Sequence, residues 1–354
     1  DSHPHDAKRD CVSCLVGSEM CIRDRPNPTS ADVITEGGHV KQLNIGYLST
    51  MYHTSHLIKA EGWVDKEMGV PSHWHIFPTG PAMVKAFEDG SIDIGYIGLP
   101  PAMIGIERGI PITCIAGGHT EGTVMIGNDK YLSYGELDDI AKVLLQFNGS
   151  CLGTPTRGSI HDVIIRNLID EKEAPVEVIN YSWADLIPEA IDRGEIVGAV
   201  GTPPLAVLSK LECATKIVIP PDNLWPFNPS YGIVVRKELF GEKGILEDFL
   251  RLHEKASNLI REQPEEAAAI VAREIMVVKS DFVIQAFAIS PKYCSSLPRP
   301  KTHTTMRIAP VQTNRAYITT PLAEAPVIDL TIRENPHPQP EHNSHPGSIP
   351  AYNH

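Results

Sequence analysis

The sequence predicts an α/β fold of two lobes, each built on a mainly parallel sheet flanked by helices, with two hinge crossovers between them. Three observations carry that prediction. One phrase occurs twice: Ala86-Phe87-Glu88-Asp89-Gly90-Ser91-Ile92 runs into Gly95-Tyr96-Ile97-Gly98-Leu99-Pro100-Pro101, and Ala190-Ile191-Asp192-Arg193-Gly194-Glu195-Ile196 runs into Gly198-Ala199-Val200-Gly201-Thr202-Pro203-Pro204. Strand and helix patterns alternate along the chain, the signature of a parallel sheet covered by helices. Two short β-branched segments, Gly122–Ile126 and Gly232–Val235, each precede a charged helix start and mark the crossings between lobes.

Each copy of the phrase reads as the end of an amphipathic helix, a Gly stop where left-handed backbone costs little, a short apolar strand and a Gly-x-Pro-Pro loop. Two copies about a hundred residues apart fit two lobes of similar build rather than a solenoid, whose periods are much shorter. Ligands in open α/β sheets bind beyond the carboxyl ends of strands, where both loops fall. Leu99 and Thr202 are therefore expected on opposing walls of one cleft.

In chain order, Lys41–Leu48 is a first strand, and residues 49–54 form a loop leading into a helix through Ala60. Trp74–Phe77 is a second strand. Thr79 is placed to cap a helix whose first turn holds Pro81, where a missing N–H costs nothing. The first copy of the phrase follows, then a strand over Pro111–Gly117. Gly153-Thr154-Pro155-Thr156-Arg157-Gly158-Ser159 leads into an amphipathic helix from Ile160 to Leu168. Near the end, Pro264-Glu265-Glu266 opens a helix with proline and acids in its first turn, where they suit the helix dipole. The expected lobes are 40–126 plus 232–290, and 127–231. Residues 291–354 read as a Pro- and His-rich C-terminal arm, partly disordered.

Residues 1–24 read as a non-native, disordered scar. Leu15–Asp24 back-translates naturally to a transposon-end sequencing adapter read in frame, so the segment is excluded from fold reasoning. Cys11 and Cys14 then carry no redox or zinc reading. Because the chain starts at Asp1, the expectation is that the true N-terminus, with any export signal, is missing. Cys114, Cys151, Cys213 and Cys294 remain, scattered and better read as single thiols than as a disulfide framework.

The formal net charge of −13 falls to −11 without the scar, which argues against a nucleic-acid partner. An anionic small molecule is not excluded, because local dipoles and one or two side chains hold it. The run into Ile160 combines free backbone N–H groups, the positive end of a dipole, hydroxyls at Thr156 and Ser159, the turn at Gly158 and the Arg157 guanidinium, and so forms an anion site. Arg157 is suited to grip a carboxylate or sulfonate through two donors. The plainer alternatives are that Ser159 only caps and Arg157 is solvated. Across the cleft, Thr50, Thr79, Gly80, Gly98 and Leu99 are the counterpart candidates, with Thr202 and Trp183 on the second lobe, Trp183 as an apolar wall. His53, His119 and Thr120 are further candidates as hydrogen-bonding groups. Clustered His53, His56, His73, His75 and His119 also leave a metal-binding alternative open.

Gly90-Ser91-Ile92-Asp93-Ile94-Gly95 with Gly98–Pro101, Arg108-Gly109-Ile110-Pro111-Ile112, Gly153–Ser159 and Ala268-Ala269-Ile270-Val271-Ala272 together resemble the solute-binding proteins of ABC importers in the nitrate, taurine and alkanesulfonate class, with thiamine-precursor-binding relatives. The resemblance covers about residues 40–295. It implies a type II periplasmic-binding fold, export, a monomer without cofactor or catalysis, and a permease with its ATPase as partners. Relatives on this fold include enzymes of thiamine-pyrimidine and menaquinone biosynthesis, so catalysis is the second reading. No nucleophile elbow, P-loop or dinucleotide fingerprint supports it.

Overall fold

The computed structural model describes residues 40–293 and Ile328, and within them two five-stranded sheets organise the chain. The strands and helices are, in order, β1 (Leu43–Leu48), α1 (Ser55–Glu61), β2 (Ser72–Phe77), α2 (Gly80–Glu88), β3 (Ile94–Ile97), α3 (Leu99–Glu107), β4 (Ile112–Thr120), β5 (Val124–Asn128), α4 (Tyr134–Leu137), α5 (Ile140–Leu145), β6 (Cys151–Thr154), α6 (Ile160–Glu171), β7 (Glu177–Asn180), α7 (Ile187–Asp192), β8 (Gly198–Gly201), α8 (Pro203–Glu212), β9 (Thr215–Ile219), α9 (Pro221–Leu224), β10 (Pro229–Arg236), α10 (Lys243–Glu262), α11 (Pro264–Ile275) and α12 (Ser280–Ile289). A π-helical turn over Val64–Met68 and 3-10 turns over Ala184–Leu186 and Lys237–Gly241 complete the set.

The first sheet has the order β2-β1-β3-β10-β4 and the second β7-β6-β8-β5-β9. Three neighbouring strands in each are parallel; β10 runs antiparallel to β3 and β4, and β5 antiparallel to β8 and β9. Four strands of each sheet therefore run the same way, as expected, and one, β10 or β5, runs against them. The reason is connectivity: β5 and β10 arrive from the other lobe without a helical crossover to return them to the starting end.

This exchange also corrects the expected boundaries. Val124–Ile126 was expected in the first lobe but pairs with Ala199–Gly201 of the second, and Pro229–Tyr231 was expected in the second but belongs to the first. The crossings therefore lie at residues 121–123 and between β9 and β10. At the first crossing a side chain on Gly122 would meet Ser230 Oγ at 2.1 Å, so only glycine lets the first linker lie against the start of β10. The scar and nearly all of the C-terminal arm lie outside the described residues.

The repeated phrase occupies equivalent places, since β3 and β8 are each the third parallel strand of their sheet. Behind the first sheet, Ile45, Ile94 and Ile233 pack with Leu57, Phe249 and Val271 of α1, α10 and α11. A second core runs from Met83, Phe87 and Met103 of α2 and α3 to Ile160, Val163 and Ile164 of α6, so apolar packing bridges the lobes. Asp93, fully buried at the start of β3, accepts from the Asn44 backbone N–H at 2.8 Å and pairs with Arg236 on β10. The helix layer behind the first sheet is tied by Glu274 on α11, which holds His56 and Lys59 of α1; burial works to raise its carboxyl, but these two donors outweigh it and hold the group at about 2.

Candidate functional site

A cavity of about 120 Å³ opens between the lobes where parallel strands end. The first lobe contributes Leu48, Ser49 and Thr50 after β1, and Pro78, Thr79, Gly80 and Pro81 after β2. The second contributes Pro155, Thr156, Ser159 and His161 after β6, Ser182 to Asp185 after β7, and Thr202 after β8. Five strand ends thus meet at one space, in the position that open α/β sheets reserve for ligands.

Three helices start at its wall, each capped by a hydroxyl. Thr79 Oγ1 accepts from Ala82 N at 3.3 Å, Ser159 Oγ from Asp162 N at 3.3 Å, and Thr202 Oγ1 from Leu205 N at 3.5 Å. The caps satisfy one orphan donor per helix and leave the positive dipole ends facing the cavity. The three ends differ in what else they offer. Pro203 and Pro204 carry no N–H, so the α8 end presents hydroxyl and dipole only, whereas the α6 end keeps the N–H groups of its first residues. Asp162 stabilises that end from behind: it accepts from Gly158 N at 2.9 Å, Arg166 Nε at 2.7 Å and Asn180 Nδ2 at 2.9 Å.

His161 and Asp185 are the ionisable residues of the lining. His161 is buried, and its Nδ1 lies 2.9 Å from Thr123 Oγ1 on the first crossing segment. Desolvation pushes its imidazole down to about 4, against a smaller opposing pull from Asp162, so the ring is neutral at pH 7. Desolvation also raises the Asp185 carboxyl above the usual carboxylate range. No Lys or Arg is among the described residues lining the cavity. Trp183, 47% exposed, supplies an apolar wall.

Half of the sequence-derived candidates meet here: Thr50, Thr79, Gly80, Thr156, Ser159, Trp183 and Thr202. The others do not line the cavity. Arg157 is exposed and lies outside the lining, on a turn that Gly158 makes with φ of 82°. Gly158 is buried with its N–H given to Asp162. Leu99 is fully buried in the core rather than on a cleft wall, and Gly98 is a helix-capping residue beside it. The first Gly-x-Pro-Pro loop acts from behind: Pro101 sits so close to Gly80 that a side chain there would fall 2.6 Å from its Cγ.

His53, His119 and Thr120 are buried at the hinge. His53 lies against the Tyr231 ring, at 3.9 Å between centroids, and burial lowers its imidazole well below its ordinary range. His119 Nε2 donates to the Ser290 carbonyl at 2.6 Å, and burial pushes that ring down to about 4. Thr120 N donates to the Lys292 carbonyl at 3.0 Å. The metal alternative finds no support here, since His56 is held by Glu274 and His75 contacts Asn44, and no group of three or more metal-ligating side chains occurs among the described residues. His161, Asp185, Ser49 and Ser182 are the polar cavity residues that sequence reasoning missed.

The NMT1-like family matches residues 36–276. No curated protein matches the chain significantly. Solved structures of similar fold include the alkanesulfonate-binding protein SsuA from Xanthomonas axonopodis pv. citri bound to MOPS, at TM-score 0.69 and 14% identity over 82% of this chain and 99% of that one. The ligand-binding component of an ABC-type import system from Staphylococcus aureus, with zinc bound, has TM-score 0.69 and 18% identity over 82% and 97%. The periplasmic nitrate-binding protein NrtA from Synechocystis PCC 6803 has TM-score 0.67 and 13% identity over 83% and 87%. At these identities the likeness establishes a shared two-lobed fold.

Proposed function

The chain belongs to the NMT1-like family, and we propose that it is the solute-binding component of an ABC importer, capturing a small monoanion, a sulfonate, carboxylate or nitrate-like ion, between its lobes without turning it over. The observation that carries this reading is the convergence of three capped helix starts, at Thr79, Ser159 and Thr202, on one small cavity. Aligned N–H groups and dipoles hold an anion without a cationic side chain. A cavity of 120 Å³ suits a solute of roughly benzene size, which admits nitrate, a short sulfonate or a short carboxylate.

The acid group belongs at the α6 start, where free N–H groups, Ser159 and His161 meet. Trp183 covers the carbon skeleton, and Asp185 leaves its side of the cavity for a hydroxyl or amine donor on the ligand. A second acidic group there would meet a like charge, so dianions are disfavoured. On this reading the partners are a membrane permease and its ATPase, and the chain works outside the cytoplasm.

A thermal-shift screen of short sulfonates, nitrate, carboxylates, pyrimidines and divalent metals tests the assignment. A ligand that binds only the folded state adds about 2.7 kcal/mol at a hundredfold excess over its Kd, a readable shift. Monoanions are expected to raise the melting temperature and to be recovered unchanged. A shift with metals or pyrimidines alone, or chemical conversion of the ligand, contradicts the reading.

A further inference from the structure

We propose that His161 couples anion capture to uptake of one proton, so that the site holds its ligand more tightly as the pH falls. The proposal rests on the anion reading of the cavity and adds a regulation that helix dipoles alone do not supply, since dipoles do not titrate.

The geometry places this imidazole between the ligand space and the hinge. It lies in the first turn of α6, two residues past the Ser159 cap, and forms part of the cavity wall. Its Nδ1 is engaged by Thr123 Oγ1 at 2.9 Å, which leaves Nε2 as the ring nitrogen for a ligand in the cavity that His161 lines. The charged and titratable groups around it come from three directions, and a neutral hydroxyl from a fourth. Asp162 follows it on α6 but is occupied by Gly158, Arg166 and Asn180. His53 from the first lobe is near enough to disfavour a second positive charge. Asp185 faces the same cavity from the turn after β7, and Thr123 comes from the crossing segment.

Without an anion beside it these surroundings keep the ring neutral, because burial outweighs the pull of Asp162. An anion in contact with the Nε2 edge reverses the balance by favouring the charged form. Protonated, the ring donates from both nitrogens, to Thr123 and to the ligand. Linkage is reciprocal: whatever raises the proton affinity of His161 on binding must raise anion affinity on protonation by the same factor. Between the free and the bound values, affinity therefore rises up to tenfold for each pH step downward.

The test uses methanesulfonate and nitrate, which do not themselves titrate in this range. Calorimetric titration from pH 8 to pH 5, in two buffers of different ionisation enthalpy, is expected to show at least fivefold tighter binding at pH 5 than at pH 7.5, with proton uptake. His161→Gln, which keeps a donor but not the titration, is expected to bind with a flat pH profile. Asp185→Asn is expected to keep the slope. Imidazole NMR of the unmodified chain provides a check that needs no variant: the His161 titration should move upward by at least about 1.7 pH units when methanesulfonate saturates, the shift that a fivefold gain at pH 5 requires. A flat profile in the unmodified chain, a slope that survives in His161→Gln, a slope lost in Asp185→Asn, or an unmoved His161 titration each overturns the coupling while leaving anion capture standing. Failure of both anions to bind at any pH instead refutes the anion reading, and the coupling with it.

Discussion

Replacing Thr79 with Asp separates the cap from the binding site. Thr79 Oγ1 accepts from Ala82 N at the start of α2, and aspartate caps at least as well as threonine. A negative charge at a helix start adds about 0.3–1 kcal/mol of stability. For a chain of this size the melting temperature should hold or rise by up to about 4 °C. The same carboxylate faces the cavity. A like charge about 5 Å from a bound anion, at an effective dielectric near 20, costs about 3 kcal/mol, a loss of roughly two hundredfold in affinity. Thr79→Ala is the control: it should lower the melting temperature by about 2–4 °C through loss of the cap and weaken binding far less. Calorimetric titration with methanesulfonate or nitrate, paired with thermal melts, reads both effects. Anion affinity within threefold of the unmodified chain in Thr79→Asp, or a gain of affinity for cations, refutes the placement of the anion at these helix starts.

Three further outcomes follow from the same structure. Arg157→Ala should leave anion affinity within twofold in the same titration, because that side chain lies outside the cavity lining; a tenfold loss would return the guanidinium to the site. Asp93→Ala leaves Arg236 buried without its counter-charge and the Asn44 N–H without its acceptor, and should cost about 3–5 kcal/mol in denaturant unfolding. His119 and His161 are held at about 4 in the folded chain against about 6.5 unfolded, so the unfolded state alone takes up their protons as pH falls between those values. Stability is full above pH 6.5 and drains toward pH 4, by roughly 2–3 kcal/mol per imidazole at pH 4.5. A denaturation midpoint unchanged between pH 7.5 and 4.5 would contradict this.

Local sequence signals recovered what local chemistry determines. Gly-stop, strand and Pro-Pro loop recur because each lobe needs a third strand feeding a helix, and the Thr79, Ser159 and Thr202 caps follow from hydroxyls placed before helix starts. Position in the phrase did not determine exposure, however. Leu99 and Thr202 are equivalent in sequence, yet Leu99 has an apolar side chain that enters the core while Thr202 remains at the cavity as a cap. Arg157 lies outside the cavity lining although it is two residues from Ser159, and Gly158 turns the backbone between them with a positive φ. His161 was missed because its partner, Thr123, is 38 residues away on the crossing segment. The boundaries shifted because a strand that crosses between lobes looks the same in sequence whichever sheet it joins. The one clear trace of that exchange was the similarity of Gly122–Ile126 to Gly232–Val235.

A crystal structure of the chain grown with the monoanion that gives the largest thermal shift decides whether the interlobe cavity is an anion receptor. The acid group is expected within hydrogen-bond distance of the α6 start at Ser159 and of His161 Nε2, with Trp183 over the carbon skeleton and the ligand chemically intact. Density for the ligand outside this cavity, or an acid group turned toward Asp185 and away from the three helix starts, would contradict it.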